Sequence, residues 1–212
     1  ARDKDSDEPM TDKEILDEVM TMIVAGHETS ACTLNWAWYL IAQHPEAEAR
    51  LHAEVDGLEG RTPDFADLPK LAYTRQIPEE TLRLYPPVWL FSRKAQEADQ
   101  IGPYTIPAGS DIFIAPYFLH RREDLWPNPE AFDPDRFSPE ATKAQHRFAF
   151  IPFSAGPRRC IGDFFGLVEM QIHLGLLAQY LRLRYVDKGP IELDPAVNLR
   201  SKHNLFMTIE SR

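Results

Sequence analysis

The stretch Phe153-Ser154-Ala155-Gly156-Pro157-Arg158-Arg159-Cys160-Ile161-Gly162 decides how the rest of the chain is read. Gly156-Pro157 sets a tight turn, two arginines precede the cysteine, and a helical pattern follows whose first N–H groups point back towards the sulfur. Each of these favours thiolate over thiol. A thiolate held among backbone donors is what an axial iron ligand needs, because hydrogen bonds to the sulfur tune its electron donation. The competing reading is a small buried cysteine, the usual state of a lone one.

Outward from this loop towards the N-terminus the chain is rich in proline. It has 18 prolines, 12 of them from Pro78 to Pro157, against a general level of ~5%. Such a stretch is mostly turns. Extended segments are expected at Ser92–Ala95, Tyr104–Ile106 and Asp111–Ala115, with a short helix around Pro78–Leu84 that stops at Pro86-Pro87. After the loop, a helix is expected from Cys160 to about Tyr180, followed by strand-like LRLRYV and NLFMTIE.

The first zone, 1–62, reads helical. Thr11 and Glu14 form a capping box, and Met10 and Ile15 flank it as a hydrophobic staple, so a long helix is predicted near Thr11–Ala42. Its second half, ACTLNWAWYLIA, is apolar nearly all round, which implies burial on every side. A second helix opens at Pro45 and runs to the Gly57–Gly60 break, since proline suits a first helical turn. Residues 1–9 read as an acidic linker, and a start at Ala1 hints that the chain was processed, trimmed or cut from something longer. The fold class is mainly α with small β-sheets (α+β), without internal repeats.

Composition excludes several classes. With 43% hydrophobic and 26% charged residues in 212, the chain is neither disordered nor a disulfide scaffold. No apolar run approaches the ~18–20 residues of a membrane span. A net charge of -10 repels nucleic acid. The two cysteines, Cys32 and Cys160, have no CxxC spacing, which suits a reducing, cytoplasmic compartment.

Three further motifs carry chemistry. In Ala25-Gly26-His27-Glu28-Thr29-Ser30, glycine inside a buried helix costs about 1 kcal/mol against alanine and so marks a close approach. Ala25, Gly26 and Thr29 share one small face with a single hydroxyl, as expected where a flat cofactor or a bound diatomic lies, and Glu28 could feed protons. Close helix packing, with Thr29 bonded to its own backbone, is the bland alternative. Glu80-Thr81-Leu82-Arg83 places a carboxylate and a guanidinium on one helical face. Phe132-Asp133-Pro134-Asp135-Arg136-Phe137 sets another arginine between aromatics, within possible reach of Glu80.

These motifs, as FxxGxRxCxG, AGxxT, ExxR and PxRF in this order, make the sequence resemble the cytochrome P-450 superfamily of haem-thiolate monooxygenases, from Thr11 to the C-terminus. The resemblance implies a haem b cofactor (iron protoporphyrin IX) with Cys160 as proximal iron ligand. Arg158 and Arg93 resemble haem-propionate partners, Phe153 the aromatic beside the sulfur, Gly156 the loop turn, and Ala25 and Gly26 the cofactor-facing helix surface. Glu80, Arg83 and Arg136 resemble a structural triad. Glu28 and Thr29 resemble the acid–alcohol pair that delivers protons. A thiolate ligand favours O–O cleavage, so the implied reaction activates O2 to hydroxylate or epoxidise a small apolar substrate. Val88, Trp89, Leu90, Phe91, Leu205 and Phe206 are candidate pocket lining.

The same resemblance implies a longer domain. Residues 10–212 match the C-terminal, haem-ligating half, with the N-terminal half lost, disordered or on another chain. Pro78 falls where the family's ExxR helix is already under way, so that helix is expected to be shorter or kinked. Electrons are expected from a ferredoxin or flavodoxin-type donor, docking at a basic stretch with Lys143, Arg147, Arg158 and Arg159. The alternatives are an inactive haem-binding or interaction fragment and, with no motif behind it, a cysteine hydrolase pairing Cys160 with His120 or His146.

Overall fold

The computed structural model describes residues 9–212, so the acidic stretch read as a linker lies, apart from Pro9, outside the described residues. Helix α1 runs Asp12–Gln43. The Thr11 hydroxyl accepts from the Glu14 N–H at 3.3 Å while the Glu14 carboxylate accepts from the Thr11 N–H at 2.8 Å. This reciprocal cap fixes the helix start. The two halves of α1 differ: Trp36, Ala37, Leu40 and Ile41 are buried, whereas Leu16, Val19, Met20, Ile23 and Val24 are exposed among the described residues.

Helix α2 (Pro45–Asp56) opens on proline and packs against α1. Helix α3 (Ala72–Leu84) corrects the sequence expectation, because it is long and passes through Pro78. Proline removes one helical hydrogen bond, but both ends of α3 are anchored from outside. At its start, the Glu54 carboxylate accepts from the N–H groups of Tyr73 and Thr74 at 2.8 and 2.7 Å and from the Thr74 hydroxyl at 2.6 Å. At its end, the Glu80 carboxylate accepts from the Asp133 N–H at 2.8 Å, and Arg83 donates to the carbonyls of His120, Pro129 and Ala131. Tertiary anchoring overrides local propensity. Glu54→Ala is expected to cost about 1–2 kcal/mol, the scale of a lost helix cap, read as a lower urea midpoint with unchanged slope.

Short helices α4 (Pro116–Leu119) and α5 (Pro139–Ala144) punctuate the proline-rich region. Helix α6 spans Asp163–Leu177, starting later than expected from the sequence because Gly162 is its N-cap, and ending earlier at the C-cap Ala178. The core joins the second half of α1 to α2, α3 and α6 through Leu51, Val55, Ile77 and Leu174, all without exposed surface. Each such side chain contributes about 1.5–3 kcal/mol by burial.

Four two-stranded antiparallel sheets surround this core. β1 (Phe91–Lys94) pairs with β4 (Asp111–Ile114), setting Arg93 opposite Ile112. β2 (Asp99–Ile101) pairs with β3 (Tyr104–Ile106), and β5 (Leu181–Tyr185) with β8 (Met207–Ser211). β6 (Leu193–Pro195) and β7 (Leu199–Ser201) form a last hairpin that the sequence did not announce. No helix among the described residues is long and apolar enough to cross a membrane.

Candidate functional site

The cysteine loop hangs between α3 and α6. Phe153 packs against Leu82, Leu167 and Met170, which gives the loop a fixed root. From there the chain reverses sharply, with Ser154 at φ 62° and Gly156 at φ 71°. At Gly156 this left-handed conformation is free of the Cβ penalty. The Cys160 N–H donates back to the Phe153 carbonyl at 2.9 Å, closing the loop. Cys160 is exposed, and its sulfur accepts from the Gly162 N–H at 3.3 Å. The N-terminal end of α6, whose dipole favours negative charge, follows directly.

The two loop arginines part company. Arg159 pairs with Asp163, 2.7 Å from Nε to the carboxylate, whereas Arg158 is exposed and makes no ion pair among the described residues. Arg93 on β1 reaches the loop from the side, donating to the Ser154 hydroxyl at 2.6 Å and to the Ser92 carbonyl at 2.9 Å. It too lacks a carboxylate partner among the described residues. A cavity of about 490 Å³ opens beside it, lined in part by Phe91, Arg93, Phe148, Ile151, Ser154 and Ala155. Leu205 and Phe206 line a separate, smaller cavity of about 140 Å³, so they do not share a wall with Phe91 here.

On α1, Thr29 is half-buried and its hydroxyl donates to the Ala25 carbonyl at 2.6 Å. A Cβ built on Gly26 would meet no atom within 4 Å. Close packing by another element therefore does not explain this glycine among the described residues. Glu28, half-exposed, faces Arg200 at 3.9 Å. Ser30, one residue after Thr29, donates to Glu169 of α6 at 2.8 Å and so ties α1 to the helix that follows the cysteine.

The structure brings Glu80, Arg83 and Arg136 together. Arg83 donates from Nε and Nη2 to the two Glu80 oxygens at 2.6 and 2.8 Å, with neither side chain exposed. The remaining Arg83 donors serve the carbonyls of His120, Pro129 and Ala131. Arg136 lies 3.5 Å from Glu80 and donates to the carbonyls of Pro127 and Asn128. Burial pushes the Glu80 carboxyl up from its ordinary value, against the pull of Arg83 and Arg136. Buried His120 is pushed down to about 3 by desolvation and accepts at Nε2 from the Ile151 N–H at 3.0 Å. It thus braces the chain two residues before Phe153. Neither His120 nor His146 hydrogen-bonds Cys160, so the arrangement a cysteine hydrolase would need is not formed among the described residues.

These features fit a flat iron porphyrin bearing two carboxylates: an exposed sulfur with a backbone donor, an open face at Gly26, and two arginines without carboxylate partners. Sequence reading gave Ser154 and Ser30 no role within their motifs and missed Glu169 and Arg200. Their partners lie far off in the chain, and no local pattern marks them.

Comparison with known proteins points the same way. The family model described as cytochrome P450 matches residues 1–206. Cyclooctatin synthase of Streptomyces melanosporofaciens is 46% identical over 200 residues, covering 94% of this chain and 44% of that protein. Cyclooctat-9-en-7-ol 5-monooxygenase of the same organism is 45% identical over 178 residues, covering 84% and 39%. The crystal structure of the cytochrome P450DA heme domain superposes with a TM-score of 0.93 at 30% identity, over 100% of this chain and 48% of that one. The chain spans less than half the length of these relatives.

Proposed function

Since this chain belongs to the cytochrome P450 family, we propose that it is the haem-ligating part of a monooxygenase that inserts one atom of O2 into an apolar organic substrate by hydroxylation or epoxidation. The observation that carries this reading is the exposed Cys160 sulfur, held in a closed loop and facing a backbone donor. Cys160 would ligate the iron of haem b, Arg93 and Arg158 would take its two propionates, and Ala25 and Gly26 would lie against its face. When bound, this group supplies the redox chemistry that activates O2. Phe153 shields the sulfur side, and Gly156 gives the loop the turn that presents the cysteine.

The chain's own residues then manage protons and water. The Thr29 hydroxyl donates to Ala25 and keeps its lone pairs to accept from a second donor. Glu28, one residue earlier, is the carboxyl that passes a proton towards it. Val88, Trp89, Leu90 and Phe91 form an apolar wall that excludes bulk water. The relative named for cyclooctat-9-en-7-ol supports a ring-containing, weakly polar substrate. Exposed Lys143, Arg147 and Arg158 support an acidic electron donor of ferredoxin or flavodoxin type.

The test is turnover under ¹⁸O2 by the full-length, haem-loaded protein with such a donor and an apolar terpenoid. One ¹⁸O in the product is expected, and Thr29→Ala is expected to lower product per electron pair several-fold while hydrogen peroxide rises. Product oxygen drawn from water, or full coupling in Thr29→Ala, would contradict the reading. A second reading, an inactive haem-binding or interaction fragment, is favoured by the exposed apolar first half of α1. Intact mass with an absorption spectrum separates them: a 24.3 kDa colourless protein supports the fragment.

A further inference from the structure

Residues 196–200 form a strap that binds two parts of the molecule at once. The Trp89 indole N–H donates to the Ala196 carbonyl at 3.1 Å, and the Leu199 N–H donates to the Pro87 carbonyl at 2.9 Å. The Leu199 carbonyl in turn accepts from the indole N–H of Trp36 on α1 at 3.2 Å. The strap thus joins the segment of Pro87 and Trp89 to the long helix, with Leu199 buried at the junction. Its next residue is Arg200.

Arg200 stands between two carboxylates. Its Nε is 3.1 Å from Asp194, its cross-strand partner in the β6–β7 hairpin, and its Nη1 is 3.9 Å from Glu28. The first distance is a hydrogen bond. The second is a charge contact beyond hydrogen-bond reach. Asp194 therefore holds the guanidinium at a stand-off, where it attracts the Glu28 carboxylate without locking it. We propose that Arg200 is a positioning residue for Glu28, carried by the strap so that the apolar wall and the proton-delivering carboxylate are held as one unit. This rests on the assignment of Glu28 as proton donor.

An independent reporter lies within the same group of charges. The Cys32 thiol is pushed up by its own burial first and by Glu28 second, while Arg200 pulls it down. Its titration, followed by the ¹³Cβ shift of labelled cysteine, reads the two charges without any turnover.

The experiment uses the full-length, haem-loaded protein with Glu28→Gln, Arg200→Gln, Arg200→Lys and the double variant Glu28→Gln/Arg200→Gln. Arg200→Gln is expected to lower the fraction of electrons recovered in product by about two- to fivefold, the scale of a half-exposed ion pair. Arg200→Lys restores most of it, and substrate KM and the melting temperature stay put. The double variant is no worse than Glu28→Gln alone, because Arg200 acts through Glu28. The Cys32 midpoint rises in Arg200→Gln and falls in Glu28→Gln. If Glu28→Gln impairs coupling and Arg200→Gln does not, or if the two losses add, the Arg200 inference is overturned. Normal coupling in Glu28→Gln overturns the underlying assignment instead. A Cys32 midpoint indifferent to both substitutions removes the charge arrangement itself.

Discussion

Cys160→Ser is expected to abolish the red-shifted carbon monoxide absorption of the haem-loaded, full-length protein. A serine hydroxyl keeps its proton at neutral pH, so it cannot take over from a thiolate as the strong electron donor to iron. The loop survives the change. Its closure depends on the Cys160 N–H donating to the Phe153 carbonyl and on the positive φ at Gly156, neither of which involves the sulfur. Cys160 is exposed, and surface substitutions away from special features shift stability by about ±0.5 kcal/mol. Loss of the band with an unchanged melting temperature therefore reports ligand chemistry and not unfolding. Cys32 offers no substitute, since it is buried and that burial pushes its thiol up from the ordinary value. An undiminished red-shifted band in the variant would take Cys160 out of the iron site.

How much of this was legible beforehand depended on the range of the interactions. Helices α1 and α2 begin where the sequence puts them because their signals are local: a capping box at Thr11 and a proline at the first turn. The cysteine loop was legible for the same reason, with turn, arginines and cysteine contiguous in the chain. Pro78 misled because the groups that hold α3 through it, the Glu54 carboxylate at its start and the Asp133 N–H and His120 carbonyl that meet Glu80 and Arg83 at its end, lie outside the local window. The β6–β7 hairpin was invisible because β6 ends on Pro195, which argues against a strand, and no glycine marks the turn at residues 196–198. The site followed the same rule. Glu80 and Arg83 share a helical face that spacing alone reveals. Ser154 under Arg93, Glu169 under Ser30 and Arg200 beside Glu28 are chosen by tertiary approach, and nothing in a linear pattern points to them.

The largest stability effect is expected at the buried pair. Arg83→Ala is expected to cost about 3–5 kcal/mol, because it leaves the Glu80 carboxylate in a dry interior with the Asp133 N–H and the more distant Arg136 as its remaining partners among the described residues. That is a large share of a typical ~5–15 kcal/mol total. Arg83→Lys separates charge from geometry. It keeps the positive charge, but a single ammonium cannot reproduce the fork that holds both Glu80 oxygens and three carbonyls. One of those carbonyls is that of His120, whose ring accepts the Ile151 N–H, and Ile151 in turn accepts from the Ser154 N–H at the mouth of the cysteine loop. A short bonded path thus runs from the pair to the residues that present Cys160. Arg83→Lys should accordingly lose haem faster than the wild type does, at a denaturant midpoint that falls less than in Arg83→Ala. Wild-type haem retention in Arg83→Lys would show that the path carries no strain to the loop, and a wild-type midpoint in Arg83→Ala would show that the pair contributes nothing to holding the core.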